Sequence, residues 1–307
     1  MASAVLLSKL RLSIKLWMKT GLAVPGLFLR SRRPYLRVLF YHRINPYPFS
    51  NLGAVSRELT VTPEMFEAQL QFLSRGKYRT VHLEEFSRMM GGTHTIDPKA
   101  VLITFDDGYE DNLLWAAPLL TKYGFSAVVF VVSDFIGKTT AEVWPGSDPA
   151  AFGRFLDSGQ IADLQRDGFE IGSHTMSHPL LTSLPVERQF DELRGSKQEL
   201  EKLFGAPVQS VAYPGGDFDE TVESCAAKAG YALAFTTVPG VNRPEISSMS
   251  ICRTEVSASD SLLVFRAKMS GALDWLAFKE NRVFRQWIGR FNRLLIPFAQ
   301  ARRAGDE

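Results

Sequence analysis

Cysteine is almost absent from this chain of 307 residues, which carries only Cys225 and Cys252. Two thiols outside any Cys-x-x-Cys motif show no metal-ligand spacing, and whether they pair with each other is left open by sequence. They are read as buried, inert side chains. Long apolar runs are missing as well. No stretch approaches the roughly 18 residues of a spanning helix. The first 30 residues are rich in Leu but are interrupted by Lys9, Arg11, Lys15 and Lys19. They show no clear secretory core or cleavage site. Internal repeats are absent, which excludes solenoids and arrays. Acidic residues are absent from 1–37, where eight basic ones stand, and residues 279–307 are also net basic. The chain as a whole is only +2, so its middle is acidic. An acidic body with basic ends lacks the continuous basic face of a nucleic-acid groove, and no nucleic-acid partner is expected.

What remains is an ordinary globular composition, 45% hydrophobic and 22% charged, with enough length for a sizeable core. Short β-branched or aromatic runs alternate with segments of helical periodicity. Strands are expected at 37–43, 59–61, 78–81, 100–103, 126–132, 169–172, 210–213, 231–236 and 251–256. Helices are expected at 62–73, with Thr62 as cap and Pro63 in its first turn, and at 82–90 and 110–123. Others are expected at 158–166 with Ser158 as cap, at 185–204 closed by Gly205, at 218–229, and from 262 towards 301. Residues 137–155 form a loop-rich insertion of the kind that lines sites. This alternation predicts an α/β fold with parallel strands, as a barrel or an open sheet.

In such folds functional residues sit where strands run into the following loops. His42, Asp106-Asp107, His174, His178 and Tyr213 all fall there. Asp106 and Asp107 leave their strand in succession and point to opposite faces, so one can hold a metal while the other takes a proton. Alone, an Asp-Asp-Gly turn is an ordinary solvated turn. The histidine pair changes this, because rings four residues apart after a strand lie on one side. Two imidazoles and a carboxylate make a common zinc shell with an open position. His82 and His94 stand in helix and loop contexts and are given no role.

These motifs resemble those of the polysaccharide deacetylases, also called the NodB-homology or carbohydrate esterase family 4 group. Thr104-Phe105-Asp106-Asp107-Gly108 matches the first motif, and His174-Thr175-Met176-Ser177-His178 the second. Ala212-Tyr213-Pro214-Gly215-Gly216 resembles the third. The resemblance implies a distorted (β/α) barrel and a divalent metal, usually zinc, held by Asp107, His174 and His178. It implies Asp106 as the base and the Tyr213 amide as an oxyanion donor. The Arg that many members place before the third motif is replaced by Gln209-Ser210-Val211, and no His follows His178 to supply the late catalytic acid. Tyr41-His42 resembles a pair found in the poly-N-acetylglucosamine deacetylase branch, which makes His42 the candidate acid or orienting residue. Arg253 is available to pair with Asp106 in place of the missing Arg.

The expected activity is metal-dependent hydrolysis of N-acetyl groups on an amino-sugar glycan, either an exopolysaccharide or a lipid-linked precursor. The rivals are hydrolysis of another non-peptide amide and a non-catalytic sugar binder; the retained Asp106 argues against the binder. The chain divides into a basic amphipathic segment (1–36), a catalytic domain (37–260) and a basic helical tail (261–307). Trp17, Trp275 and Trp287 in the basic ends suit peripheral contact with an anionic membrane surface. The expected location is the cytoplasmic face of the membrane, with a periplasmic enzyme on an N-terminal anchor as the alternative.

Overall fold

In chain order the strands are β1 (Arg37–Tyr41), β2 (Arg43–Ile44), β3 (Thr60–Val61), β4 (Arg79–Thr80) and β5 (Ala100–Phe105). They continue with β6 (Val128–Val131), β7 (Glu170–Ser173), β8 (Ser210–Ala212), β9 (Leu233–Phe235) and β10 (Thr254–Glu255). The helices are α1 (Ala54–Leu59), α2 (Pro63–Arg75), α3 (Leu83–Met90), α4 (Ala117–Lys122) and α5 (Thr140–Val143). They continue with α6 (Ser158–Arg166), α7 (Val186–Phe204), α8 (Glu220–Lys228) and α9 (Leu262–Met269). These elements come from a computed structural model, which describes residues 34–47, 52–145 and 153–274.

The main sheet runs β10-β1-β5-β6-β7-β8-β9, with β4 also paired to β5, and its ladders are parallel. Ile251 bridges Phe235 of β9, and three residues later Thr254 pairs with Leu39 of β1. One short segment thus links the two edges of the sheet, which curls into a distorted barrel with helices outside. The predicted fold class holds.

Side-chain alternation sorts each strand into two packing layers. Val38, Leu102, Phe130, Ala212 and Phe235 belong to the interior cluster. Their neighbours Leu39, Ile103, Val129 and Val211 face outwards and pack with helix residues such as Leu70, Leu120 and Leu193. Phe86 and Met89 of α3 join the interior cluster, with the Phe86 ring 6.0 Å from that of Phe235. Burial on both faces explains why the strands read as continuous apolar runs.

Several local expectations are corrected. Helix α6 is capped by Asp157 rather than Ser158: its carboxylate accepts from the Gln160 amide while the Gln160 side chain accepts from the Asp157 amide. That is a complete capping box, which a serine one residue later does not supply. The 110–123 helix is split into a wide π turn, Asn112–Ala116, followed by α4. Pro118 has no N–H for the carbonyl four residues back, so a regular helix cannot run through that point. The short helix α1 precedes β3 where only a strand was expected. Finally, the body does not stop at 260. Val264, Phe265 and Met269 of α9 are buried, and Arg37 clasps Asp274 through two hydrogen bonds of 2.9 and 2.8 Å. The first turns of the expected tail are therefore core. The proposed amphipathic segment before residue 34 and the aromatic residues from Trp275 onward lie outside the described residues.

Candidate active site

The alternation that builds the barrel interior also selects what emerges at its mouth. Val38 and Phe40 are followed in parity by His42, Leu102 and Thr104 by Asp106, and Gly172 by His174. The ladders continue one residue past the strands: Asp106 N donates to Tyr41 O at 3.0 Å and His174 N to Val131 O at 2.8 Å. These residues are thus aimed by the sheet rather than by loop conformation.

Asp107 comes next, and its φ of +71° turns the chain sharply. This brings its carboxylate back over the barrel mouth. Asp107 Oδ1 lies 3.4 Å from His174 Nε2 and 3.3 Å from His178 Nε2. One donor atom from each of the three residues falls within a 4.8 Å cluster. Zinc bonds of about 2.0–2.1 Å at tetrahedral angles put neighbouring ligand atoms about 3.3–3.4 Å apart. The Asp107 distances match such an edge and are longer than a good charge-assisted hydrogen bond. His174 Nδ1 lies 2.7 Å from the Ala212 carbonyl. Only a protonated nitrogen bonds a carbonyl, so Nε2 keeps its lone pair for a cation. The donor set fits a divalent metal.

Burial pushes the Asp107 carboxyl up, but the two imidazoles overcome this and hold it well below the usual carboxylate range. Burial lowers the His178 imidazole, and the Asp107 carboxylate more than reverses it. The site already has the charge pattern of a ligand shell, with an ionised carboxylate between two nitrogen donors.

Asp106 is turned away from this cluster towards Arg253. Arg253 Nη1 and Nη2 donate to its two oxygens at 2.6 and 2.7 Å, and Nε donates to Thr236 O at 2.7 Å. The guanidinium is fully buried, 4.4 Å from the centre of the Phe40 ring. Burial raises the Asp106 carboxyl, but Arg253, helped by His174 and His42, brings it below its ordinary value. The expected Arg253–Asp106 pair is present. The long-range closure through 251–255 makes it, which is why no Arg is needed before the third motif.

His42 is half-buried beside Phe40, and its carbonyl accepts from Asn112 Nδ2 at 2.8 Å. Its charge contributes to lowering both Asp106 and Asp107. It stands at the site where the sequence puts it.

Tyr213 requires a correction. Its amide donates to Phe235 O at 3.0 Å, and its hydroxyl donates to Met249 O at 3.0 Å. Neither is open to an oxyanion, because β8 still pairs with β9 at this residue. Two residues on, Gly215 has a φ of +61° and an amide that finds no acceptor among the described residues. A Cβ there would come within 3.2 Å of Leu180 Cδ2, next to the histidine loop. The signal available in sequence was the Pro-Gly-Gly after the strand: Pro214 ends the ladder, and the following glycine alone turns left-handed without strain. The insertion expected to line the site does so through Trp144, whose ring is edge-on to His178 at 5.8 Å and to Phe135 at 5.2 Å.

A family model described as polysaccharide deacetylase matches residues 93–234. The Bacillus subtilis protein YxkH, named as a polysaccharide deacetylase, is 30% identical over 241 residues, covering 78% of each chain. The Staphylococcus epidermidis poly-beta-1,6-N-acetyl-D-glucosamine N-deacetylase is 24% identical over 71% of this chain and 78% of that protein. Among solved structures, the Streptococcus pyogenes deacetylase PplD in complex with acetate matches with a TM-score of 0.65. It is 26% identical over 77% of this chain and 99% of that one. The strand-end aspartates and histidines and a relative matched along most of both chains agree, and the chain belongs to the polysaccharide deacetylase family of hydrolases, which act on the amide bonds of N-acetylated sugars.

Proposed function

We propose that this protein removes N-acetyl groups from an amino-sugar glycan, an exopolysaccharide or a lipid-linked precursor, and releases acetate. The observation that carries this reading is the Asp107–His174–His178 cluster beside a separately held, ionised Asp106. Asp107, His174 and His178 would hold the cation, and zinc suits two imidazoles and a carboxylate. When bound, such an ion polarises the acetamide carbonyl and acidifies a water molecule.

The chain's own groups supply the remaining steps. Asp106 takes the proton of the attacking water. Arg253 uses one lone pair on each of its oxygens, leaving others to accept, and keeps the carboxylate ionised at neutral pH. The Gly215 N–H donates to the oxygen that becomes negative as the carbonyl carbon turns tetrahedral. His42 returns a proton to the departing sugar nitrogen, which leaves as the amine while acetate is released. Trp144 forms an aromatic wall beside His178, a surface suited to the apolar face of a sugar ring.

The poly-N-acetylglucosamine substrate of the Staphylococcus relative and the Tyr41-His42 pair support a glycan of that class. Acetate release from a panel of N-acetylated glycans, with and without a chelator, tests the activity. Release that is unaffected by the chelator, or absent from every glycan, overturns it.

The proposed location is the cytoplasmic face of the membrane, held there through the basic ends. Among the described residues no helix is long and apolar enough to cross a membrane. Flotation of the full chain with anionic vesicles at low and high salt tests surface binding, since that attraction is screened by salt. An N-terminal reporter fusion that exports the body places the enzyme on the other side.

A further inference from the structure

The candidate ligands sit on unusual backbone. Asp107, Thr175 and His178 have φ of +71°, +67° and +61°, and among the described non-glycine residues only Lys77 shares this region. Left-handed residues with a Cβ persist only where their surroundings hold them. Within the histidine loop little does so: Thr175 N donates to Ser173 Oγ and His178 N to Thr175 Oγ1, each at 3.2 Å.

From the end of β6, Ser133 N donates to Thr175 O at 3.2 Å and Asp134 N to Met176 O at 2.9 Å; the side-chain restraint comes from one face of α7. Glu192 is 7% exposed although it carries a charge. Its Oε2 accepts from the Met176 and Ser177 amides at 3.0 and 2.9 Å, and its Oε1 from the Ser177 hydroxyl at 2.6 Å. One turn further, Gly195 leaves room for Met176, since a Cβ there would lie 2.1 Å from Met176 Sδ. Ser196 Oγ then bonds Ser173 Oγ at 2.9 Å. Glu192, Gly195 and Ser196 are three and four residues apart and share a helix face. Each engages a different part of the segment 173–177, which carries His174 and leads directly into His178.

We propose that Glu192 is the positioning residue of the metal loop. Thr175, in its left-handed conformation, turns two successive amides to the same side, and such a pair forms a concavity for an anion. The Glu192 carboxylate fills it. Without it, the Met176 and Ser177 N–H groups lose their acceptor, the left-handed turn at Thr175 loses its side-chain anchor, and His178 moves relative to His174. The inference rests on the reading of Asp107, His174 and His178 as metal ligands.

The test titrates metal-stripped protein with Zn2+ against a chelating dye, comparing wild type, His174→Ala, Glu192→Ala and Glu192→Gln. Glu192→Ala is expected to weaken Zn2+ binding by about ten- to a hundredfold, the usual effect of removing a group that orients a ligand. Glu192→Gln is expected to stay within about threefold of wild type, because its amide oxygen still accepts from both N–H groups. A merely structural role predicts that Glu192→Ala lowers the melting temperature of the metal-free protein but leaves Zn2+ affinity unchanged, and that result overturns the proposal. If Glu192→Ala does not fold, Ser177→Ala and Gly195→Ala replace it, and unchanged affinity in both overturns the proposal equally. Wild-type binding that is indifferent to His174→Ala instead overturns the ligand assignment, and this inference with it.

Discussion

Two buried aspartates five residues apart, each paired with a buried arginine, have opposite characters. Asp106 faces the barrel mouth and meets Arg253 through two parallel bonds. Asp111 lies on the outer shelf formed by β2 and β3, where it accepts from Arg43 Nε at 2.8 Å, Asn45 Nδ2 at 3.1 Å and the Ile44 amide at 3.3 Å. Burial raises both carboxyls. At Asp106 the arginine fork and two nearby imidazoles win, and the carboxyl lies below its ordinary value. At Asp111 burial wins, and the carboxyl stays above it. The same ion pair thus yields an ionised acceptor at the mouth of the barrel and a bonded strut on its flank. The number and placement of neighbouring cations make the difference, not the pairing itself.

The sharpest way to break this comparison is Asp106→Asn. An amide cannot take the proton, so turnover should fall by about a hundred- to ten-thousandfold while metal content is kept. Metal analysis beside acetate release checks it, and near-wild-type turnover would give the base role to another group. The mirror experiment is Asp111→Ala. It removes the carboxylate that pairs with the buried Arg43 guanidinium and should cost about 3 kcal/mol in urea unfolding, with turnover per folded molecule little changed. A large loss of turnover at full stability would make the outer shelf part of the chemistry.

His42→Ala should lower turnover by roughly a hundredfold with the metal retained, if the imidazole is the acid. An intact rate would leave the proton donor elsewhere. Asn112 joins the two regions, since its amide holds the His42 carbonyl while its own Oδ1 is buried without a partner. Asn112→Ala removes the 2.8 Å bond to the His42 carbonyl and a longer 3.4 Å bond to Asp111 Oδ1, together worth about 1–2 kcal/mol. It should reduce turnover only severalfold, measured against unfolding of the same variant. A drop as deep as that of His42→Ala would show that the imidazole is useless without that tether.

The sequence by itself determined the alternation of strands and helices and the parallel fold, and it placed His42, Asp106, Asp107, His174 and His178 at or just after strand ends. Periodicity reports burial, and a strand's alternation carries directly into which residues emerge at its end. His42, Asp106 and His174 were therefore legible as strand-end residues, and the spacing of His174 and His178 already implied rings on one side. The role of Arg253 could only be guessed, because its partner Asp106 is 147 residues away. No local pattern encodes that closure. Tyr213 was misread for the opposite reason: its place in the motif was visible, but the ladder bond to Phe235 that occupies its amide was not. No local pattern distinguishes the buried Glu192 from other charges on a long helix; the Met176 and Ser177 amides that meet it do. Local sequence decides which groups can reach a strand end. Only the closed sheet and the helices packed on it decide which of those groups remain free and which are already bound.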